Sequence, residues 1–241
     1  MTNEKKPQLN QSLIDGIATL QELALSKDPV GCRELARKLD MEPTRVNRLL
    51  QTLDHIGIAR KTSKRKYTSG SGMHVLSAQA LFASGLINKI IEPLESLRKY
   101  NLIIALGMLW RDHVSYLYHA APGMESVNAL GRLGLYPASK GGVGMVLLAE
   151  QPDHYIEKTY QHKHIEGFGE DFSAFMASIK QIRQQGYSYI QTQTDKHTLA
   201  VAVGEPAFCA IALSGWIPEN SVAELVQPLK QVAQQINEIA H

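Results

Sequence analysis

Cys32-Arg-Glu-Leu-Ala-Arg-Lys-Leu-Asp-Met-Glu-Pro-Thr-Arg-Val-Asn-Arg-Leu-Leu-Gln-Thr-Leu-Asp-His-Ile-Gly57 carries two apolar rhythms separated by a short turn. Cys32, Leu35, Ala36 and Leu39 recur at i, i+3, i+4 and i+7, the spacing of one helix face. Val46, Leu49, Leu50, Leu53 and Ile56 continue the rhythm on a second helix. Asp40, Met41 and Glu42 lie between them, and Pro43 suits a first helical turn, where its missing N–H costs nothing. Gly57 supplies the C-terminal stop. The remaining face of the second helix bears Thr44, Arg45, Asn47, Arg48 and Gln51, side chains suited to phosphates and base edges. The pattern predicts a helix-turn-helix with its recognition helix over 43–56. The plainer alternative is a helical hairpin with solvated charges. Residues 58–61 and 66–68 read as short strands around a tip at 62–65, and a basic hairpin in that place favours a winged helix-turn-helix. Lys61, Lys64, Arg65 and Lys66 are then expected on the phosphate backbone of double-stranded DNA.

The charge distribution points the same way. Residues 1–75 hold 13 Lys and Arg against 8 Asp and Glu, a net +5, whereas the remainder holds 12 against 15, a net −3. A positive head on a slightly acidic body is the electrostatic footprint expected of a DNA-binding domain. The chain has 241 residues, 44% of them apolar, which suits a globular protein of one large or two modest domains. Cys32 and Cys209 stand alone in apolar surroundings and read as core residues in a reducing compartment. Residues 1–7 lack the apolar centre of a signal peptide, and the longest apolar run, 102–110, is far below the ~20 residues that span a bilayer. The expectation is a cytoplasmic protein without a membrane partner.

Outward from the head, residues 1–10 are polar and expected to fray. Ser12 is placed to cap a helix with Leu13, Ile17, Leu20 and Ala24 as its apolar stripe. Residues 69–72, Ser-Gly-Ser-Gly, read as a flexible joint before a linker helix. Gly85 and Pro93 are candidate breaks in the helical stretch that follows. From residue 101 the pattern changes to strands over 102–110, 114–119 and, more weakly, 126–133. Helices follow over 141–150, 153–160 and 171–185, then strands over 187–192, 198–203 and 207–213 and a terminal helix over 219–240. The fold class is therefore two-domain α+β with an antiparallel sheet in the C-terminal part. The expected boundaries are 1–70 for the DNA-binding domain, 71–100 for the linker and 101–241 for the α+β domain.

No catalytic set emerges. The glycine-rich run at 139–145 resembles a phosphate loop, but Met145 and Val146 stand where Lys and Ser/Thr would be needed. Its glycines permit close backbone approach to a ligand or, equally, tight helix-on-sheet packing. His162 and His164 lack a third metal ligand, and Asp195 and His197 lack a nucleophile in an elbow context. Trp110, Tyr116 and Tyr118 read as core in preference to the lining of a pocket. No metal site and no cofactor are expected.

The order of these elements resembles the IclR family of bacterial transcription regulators. The likeness rests on 11–13 at the opening, on Leu35, Ala36, Leu39 and 44–50 in the head, and on 57–67 in the wing. It continues through Tyr136-Pro137, Gly142-Val-Gly144 and Leu147-Leu-Ala149, and ends with 210–215 in the last strand. The resemblance implies that 101–241 is a GAF-like effector-binding and oligomerisation domain in a homodimer or homotetramer. It also implies a small-molecule effector (an organic acid, sugar acid or aromatic acid) that changes operator affinity, with the protein a repressor of a catabolic operon. Its effector site maps to Gly142, Val143 and Ser214, with Gly141 beside them and Lys140 as a nearby charge. Where the family carries a pocket-lining acid this chain has Ile190, and the usual Gly-Val-Arg-Cys reads His197-Thr-Leu-Ala200. The alternative function is a small-acid enzyme with an appended DNA-binding head.

Overall fold

The computed structural model describes residues 8–131, 134–193 and 195–240. The chain divides into two compact units, Met1–Ala83 and Ser84–His241, and the division falls within the stretch expected as linker. Residues 1–7, part of the segment expected to fray, lie outside the described residues.

In the first unit, α1 (Gln11–Leu25), α2 (Cys32–Leu39) and α3 (Pro43–His55) precede a hairpin of β1 (Ala59–Lys61) and β2 (Tyr67–Ser69), and α4 (Ser71–Ala83) closes it. Asp40 ends α2 in the left-handed conformation at φ +50, and Pro43 opens α3. Leu35, Ala36, Val46, Leu50 and Leu53 are buried together with Leu23, Val30, Ala59 and Tyr67. Val30 exchanges both backbone hydrogen bonds with Tyr67 at 2.8 Å, so the segment between α1 and α2 bridges to β2 as a third chain segment beside the hairpin.

Four expectations for this unit need correction. Asn10, not Ser12, caps α1, its side chain accepting from the Leu13 N–H at 3.2 Å. The buried face of α1 is Asp15, Thr19 and Leu23, while Leu13, Ile17 and Ala24 are exposed and Leu20 is half-buried. A polar contact from α3 to Asp15 turns the helix away from its more apolar stripe. Ile56 lies beyond the last turn of α3 and is exposed, because Gly57 at φ +75 has already redirected the chain. Residues 69–72 are no loose joint. The Gly70 N–H donates to Ile58 O at 2.8 Å and that of Gly72 to Gly57 O at 3.0 Å. A Cβ on Gly70 would lie 2.3 Å from Gly57 O. These glycines let two backbones touch, and α4, which buries none of its residues, starts from that contact.

The second unit is built on one six-stranded antiparallel sheet. It comprises β3 (Ile103–Trp110), β4 (His113–Ala120), β5 (Tyr136–Pro137), β6 (Ser188–Gln193), β7 (Lys196–Gly204) and β8 (Ala207–Gly215), in the order β5-β4-β3-β8-β7-β6. The strands alternate. Ala105, Val114, Ala200, Ala210 and Ala212 face α6 (Gly142–Ala149), α7 (Asp153–Tyr160) and α8 (Phe172–Gln185) in one core. Leu199, Val201, Val203, Cys209, Ile211 and Leu213 point to the other side. That side is covered by α9 (Val222–Ala240), which buries Val222, Leu225, Val226, Leu229, Val232, Ala233 and Ile236, with α5 (Leu86–Glu95) against it.

The weak strand expected over 126–133 is not one. Residues Ser126–Ala129 form a 3₁₀ turn, Leu130 makes an isolated bridge to Tyr118, and Arg132 and Leu133 lie outside the described residues. Gly131 and Gly134, at φ +70 and +114, interrupt any extended run, and the edge is taken by the two residues of β5. Trp110 is exposed, with the Arg111 guanidinium 5.7 Å from its ring, so it is no core residue; Tyr118 is buried. The Tyr118 hydroxyl donates to Glu95, and Arg98 Nε meets the other carboxylate oxygen at 2.5 Å. Burial pushes the Glu95 carboxyl up, but hydrogen bonds from Arg98, Tyr118 and Ser126 outweigh it and hold the group below the usual glutamate range.

Candidate nucleic-acid interface and effector site

On α3, Thr44, Arg48 and Gln51 are exposed and follow each other at i, i+4 and i+7, opposite the buried Val46, Leu50 and Leu53. His55 continues the same outward row and is exposed, a residue the sequence reading passed over although its spacing was readable. Asn47 is half-buried on one flank. Arg45 stands on the other flank, toward α1, where its guanidinium pairs with the buried carboxylate of Asp15. Leu13, Ile17 and Ile56 share with Arg45 and Arg48 the lining of an open cleft of about 870 Å³.

The wing is fastened to α3. Asp54 Oδ1 accepts from the Lys61 N–H at 2.8 Å, and Lys61 Nζ lies 5.8 Å from the centre of the Tyr67 ring. Lys64, Arg65 and Lys66 are exposed at the tip, where Arg65 adopts φ +57. The first unit thus presents one row of polar side chains on a helix and three cations on an adjoining hairpin tip.

The second unit brings most of its five singled-out residues to the start of α6. Gly141 precedes the helix at φ −141, and the first turn has no side-chain cap. Gly142 is pressed against the sheet: a Cβ there would lie 2.8 Å from Thr198 Cγ2, 2.9 Å from Thr198 O and 3.1 Å from Ser188 Oγ. The buried Ser188 hydroxyl donates to Gly142 O at 2.8 Å. Thr198 and Ser214 stand opposite each other in register on β7 and β8 and share a hydrogen bond at 2.9 Å. Val143 is fully buried, and a Cβ on Gly107 would lie 2.9 Å from its Cγ1. It packs on β3. Gly144 touches backbone still more closely, with Ala138 O 2.1 Å from the position of a Cβ.

Lys140 is not among this group's contacts. It is largely exposed and faces Glu166, Nζ to Oε2, at 3.3 Å. Ile190 pairs with Thr198 in register and so adds an apolar neighbour. His197 points to the opposite face, where it stacks on Tyr189 at 4.6 Å and 12°. Three rings lie beside the helix start: Tyr116, which the sequence assigned to the core, and His119 and Tyr136, which it did not single out as site residues. Tyr116, half-buried and 4.0 Å by its hydroxyl from where a Gly141 Cβ would be, sits edge-to-face with Tyr136 at 5.4 Å and with His119 at 6.0 Å. Alternation along β4 was the available signal, but a register shift between Leu106 and Gly107 changes which tyrosine faces α6. A helix N-terminus, two paired hydroxyls and three rings can receive a small anion with an apolar or aromatic body.

The other end of α6 is clamped by Arg183. Its Nε donates to Ala149 O, Nη2 to Gln151 O and Nη1 to the Asp153 carboxylate, each at 2.7 Å. Among the described residues no group of three metal-ligating side chains occurs, and no helix is long and apolar enough to cross a membrane.

Comparison with known proteins agrees with this architecture. Residues 78–238 match the family model described as bacterial transcriptional regulator IclR C-terminal. The HTH-type transcriptional regulator BhcR of Paracoccus denitrificans is 28% identical over 183 residues, covering 73% of this chain; the match spans 63% of that relative's length. A crystal structure of a putative IclR regulator from Silicibacter sp. TM1040 superposes with a TM-score of 0.79 at 16% identity, over 95% of this chain and 96% of that one. An IclR homologue from Microbacterium hydrocarbonoxydans, solved in complex with 4-hydroxybenzoate, superposes with a TM-score of 0.66 at 18% identity, over 95% and 98%. With a family model matching well over half of its length, the chain belongs to the IclR family of bacterial transcriptional regulators.

Proposed function

We propose that this protein is a metabolite-responsive regulator, not an enzyme, that binds operator DNA through a winged helix-turn-helix head. The observation that carries the reading is the exposed row Thr44, Arg48 and Gln51 on α3, beside Lys64, Arg65 and Lys66 on the hairpin tip. Arg48, Gln51 and Asn47 are suited to base edges and the tip cations to phosphates. The protein acts in the cytoplasm as a homodimer or homotetramer. Leu13, Ile17, Ile56 and Leu76, exposed on the head, support self-association there. Repression of a catabolic operon is the regulatory role proposed.

The effector is a small organic, sugar or aromatic acid received at the start of α6 by Gly141, Gly142 and the Thr198–Ser214 hydroxyl pair. Tyr116, His119 and Tyr136 favour an aromatic body. Lys140 is already faced by Glu166, which favours one carboxylate over two. An effector alters operator affinity only through its different affinities for two arrangements of the oligomer.

Two measurements test the reading. Anisotropy titration of a random-sequence duplex should give binding that weakens steeply with salt, since each phosphate contact contributes a slope of about −0.9. Salt-independent binding refutes the electrostatic reading. A thermal-shift series with benzoate, 4-hydroxybenzoate, pyruvate, gluconate and succinate should show the largest rise with an aromatic monocarboxylate. A rise only with succinate refutes the single-carboxylate assignment.

A further inference from the structure

Asp15 is an acid inside the apolar layer between α1 and α3, its side chain 9% exposed. It is held from two sides. Gln11 Nε2 donates to Oδ1 at 2.8 Å, while Oδ2 meets Nε of Arg45. Thr19, one turn later and fully buried, returns its hydroxyl to Asp15 O at 2.8 Å, which fixes the helix turn that carries the acid. Arg45 is the third residue of α3, at the helix end whose residues meet base edges in helix-turn-helix proteins. Its side chain is 44% exposed, and among the described residues it has no second ion-pair partner. Asp15 approaches at Nε, the inner side of the guanidinium.

We infer that Asp15 is a positioning residue that holds Arg45 as a fixed fork for one guanine, and this rests on the DNA-binding reading above. An unattached arginine at this place would be a long, mobile cation attracted to any phosphate. Paired with a buried carboxylate, its charge is offset locally, so phosphate attraction falls while the orientation of the planar fork is set. Guanine offers O6 and N7 to such a fork. The acid thus exchanges sequence-independent attraction for discrimination at one base pair.

The test uses the full-length protein and a pool of randomised duplexes, from which the preferred duplex is recovered and each base pair then replaced singly. Wild type should disfavour replacement of one G·C pair by about 5- to 150-fold, the range of a good bidentate contact. Asp15→Asn should lose discrimination at that pair and keep it elsewhere. It should also steepen the slope of log affinity against log salt by about 0.9, as the released arginine reaches a phosphate. Arg45→Lys keeps a cation against the buried carboxylate, so the head stays folded, yet it lacks the fork and should lose the same pair.

A lowered melting temperature in Asp15→Asn with unchanged discrimination would make the contact merely structural and overturn the inference. So would full discrimination in Arg45→Lys. A wild type that retains no duplex overturns the DNA-binding reading, and the inference falls with it.

Discussion

Gly141 and Gly142 are adjacent, yet substituting them should have opposite consequences. A methyl on Gly142 would lie 2.9 Å from Thr198 O and 2.8 Å from Thr198 Cγ2, so either α6 moves away from β7 or the strand yields. Overpacking of this kind costs ~1–3 kcal/mol. For a unit of this size each kcal/mol lowers the melting temperature by ~2–4 °C. Gly142→Leu, at first sight the simple way to fill the site, therefore reports on packing and not on ligand. Gly141 has extended backbone at φ −141, and only the Tyr116 hydroxyl, at 4.0 Å, is near its missing Cβ. Gly141→Ala should change stability by less than ~1 kcal/mol, because the freedom lost by the unfolded chain offsets the preference for glycine over alanine at a helix N-cap. Gly141→Leu then fills the space between the helix start and Tyr116 in a folded protein. Thermal denaturation of the variants, with calorimetric titration of 4-hydroxybenzoate into wild type and Gly141→Leu, checks both statements. Equal melting temperatures for Gly141→Ala and Gly142→Ala would refute the packing argument. Undiminished binding by Gly141→Leu would move the effector site away from α6.

Arg183→Ala should destabilise the second unit by ~2–3 kcal/mol in urea denaturation, since charge-assisted hydrogen bonds contribute ~1.5–3 kcal/mol and the side chain is about one-third exposed. Asp153→Asn, which keeps both carbonyl contacts, should cost under ~1 kcal/mol. Gly70→Ala should unfold the head before the second unit in a two-step melt, because its Cβ would meet three backbone atoms within 3 Å. Glu95 has a folded pKa below its unfolded value, so its contribution is present above the ordinary glutamate range and lost as pH falls through the folded pKa. Urea midpoints measured from pH 7 down to 3 should therefore decline more steeply for wild type than for Glu95→Gln. Cys209, whose thiol burial pushes up to about 12, should resist thiol reagents at pH 8 until the protein is unfolded.

Local spacing determined a large part of this protein. The apolar rhythm of 32–57, the hairpin at 59–69, the two-residue turn Arg111-Asp112 and the buried face of α9 all follow from near-neighbour geometry, and, Ile56 excepted, the structure has them where the sequence placed them. The outward row on α3 was legible for the same reason: once Val46, Leu50 and Leu53 face inward, Thr44, Arg48 and Gln51 have nowhere else to point. What the sequence could not decide depended on a partner distant along the chain. Leu13 and Ile17 lost the core to Asp15 and Thr19, since Arg45, thirty residues on, compensates the buried acid. Ser69-Gly-Ser-Gly72 looked flexible because nothing local shows that Gly70 lies against Gly57 O. At α6, composition left ligand approach and helix packing equally open. The contacts around the helix start decide for packing at Gly142, against Thr198 on β7, and at Gly144, against Ala138 in the turn before the helix, whereas a Cβ at Gly141 would have only the Tyr116 hydroxyl near it, at 4.0 Å.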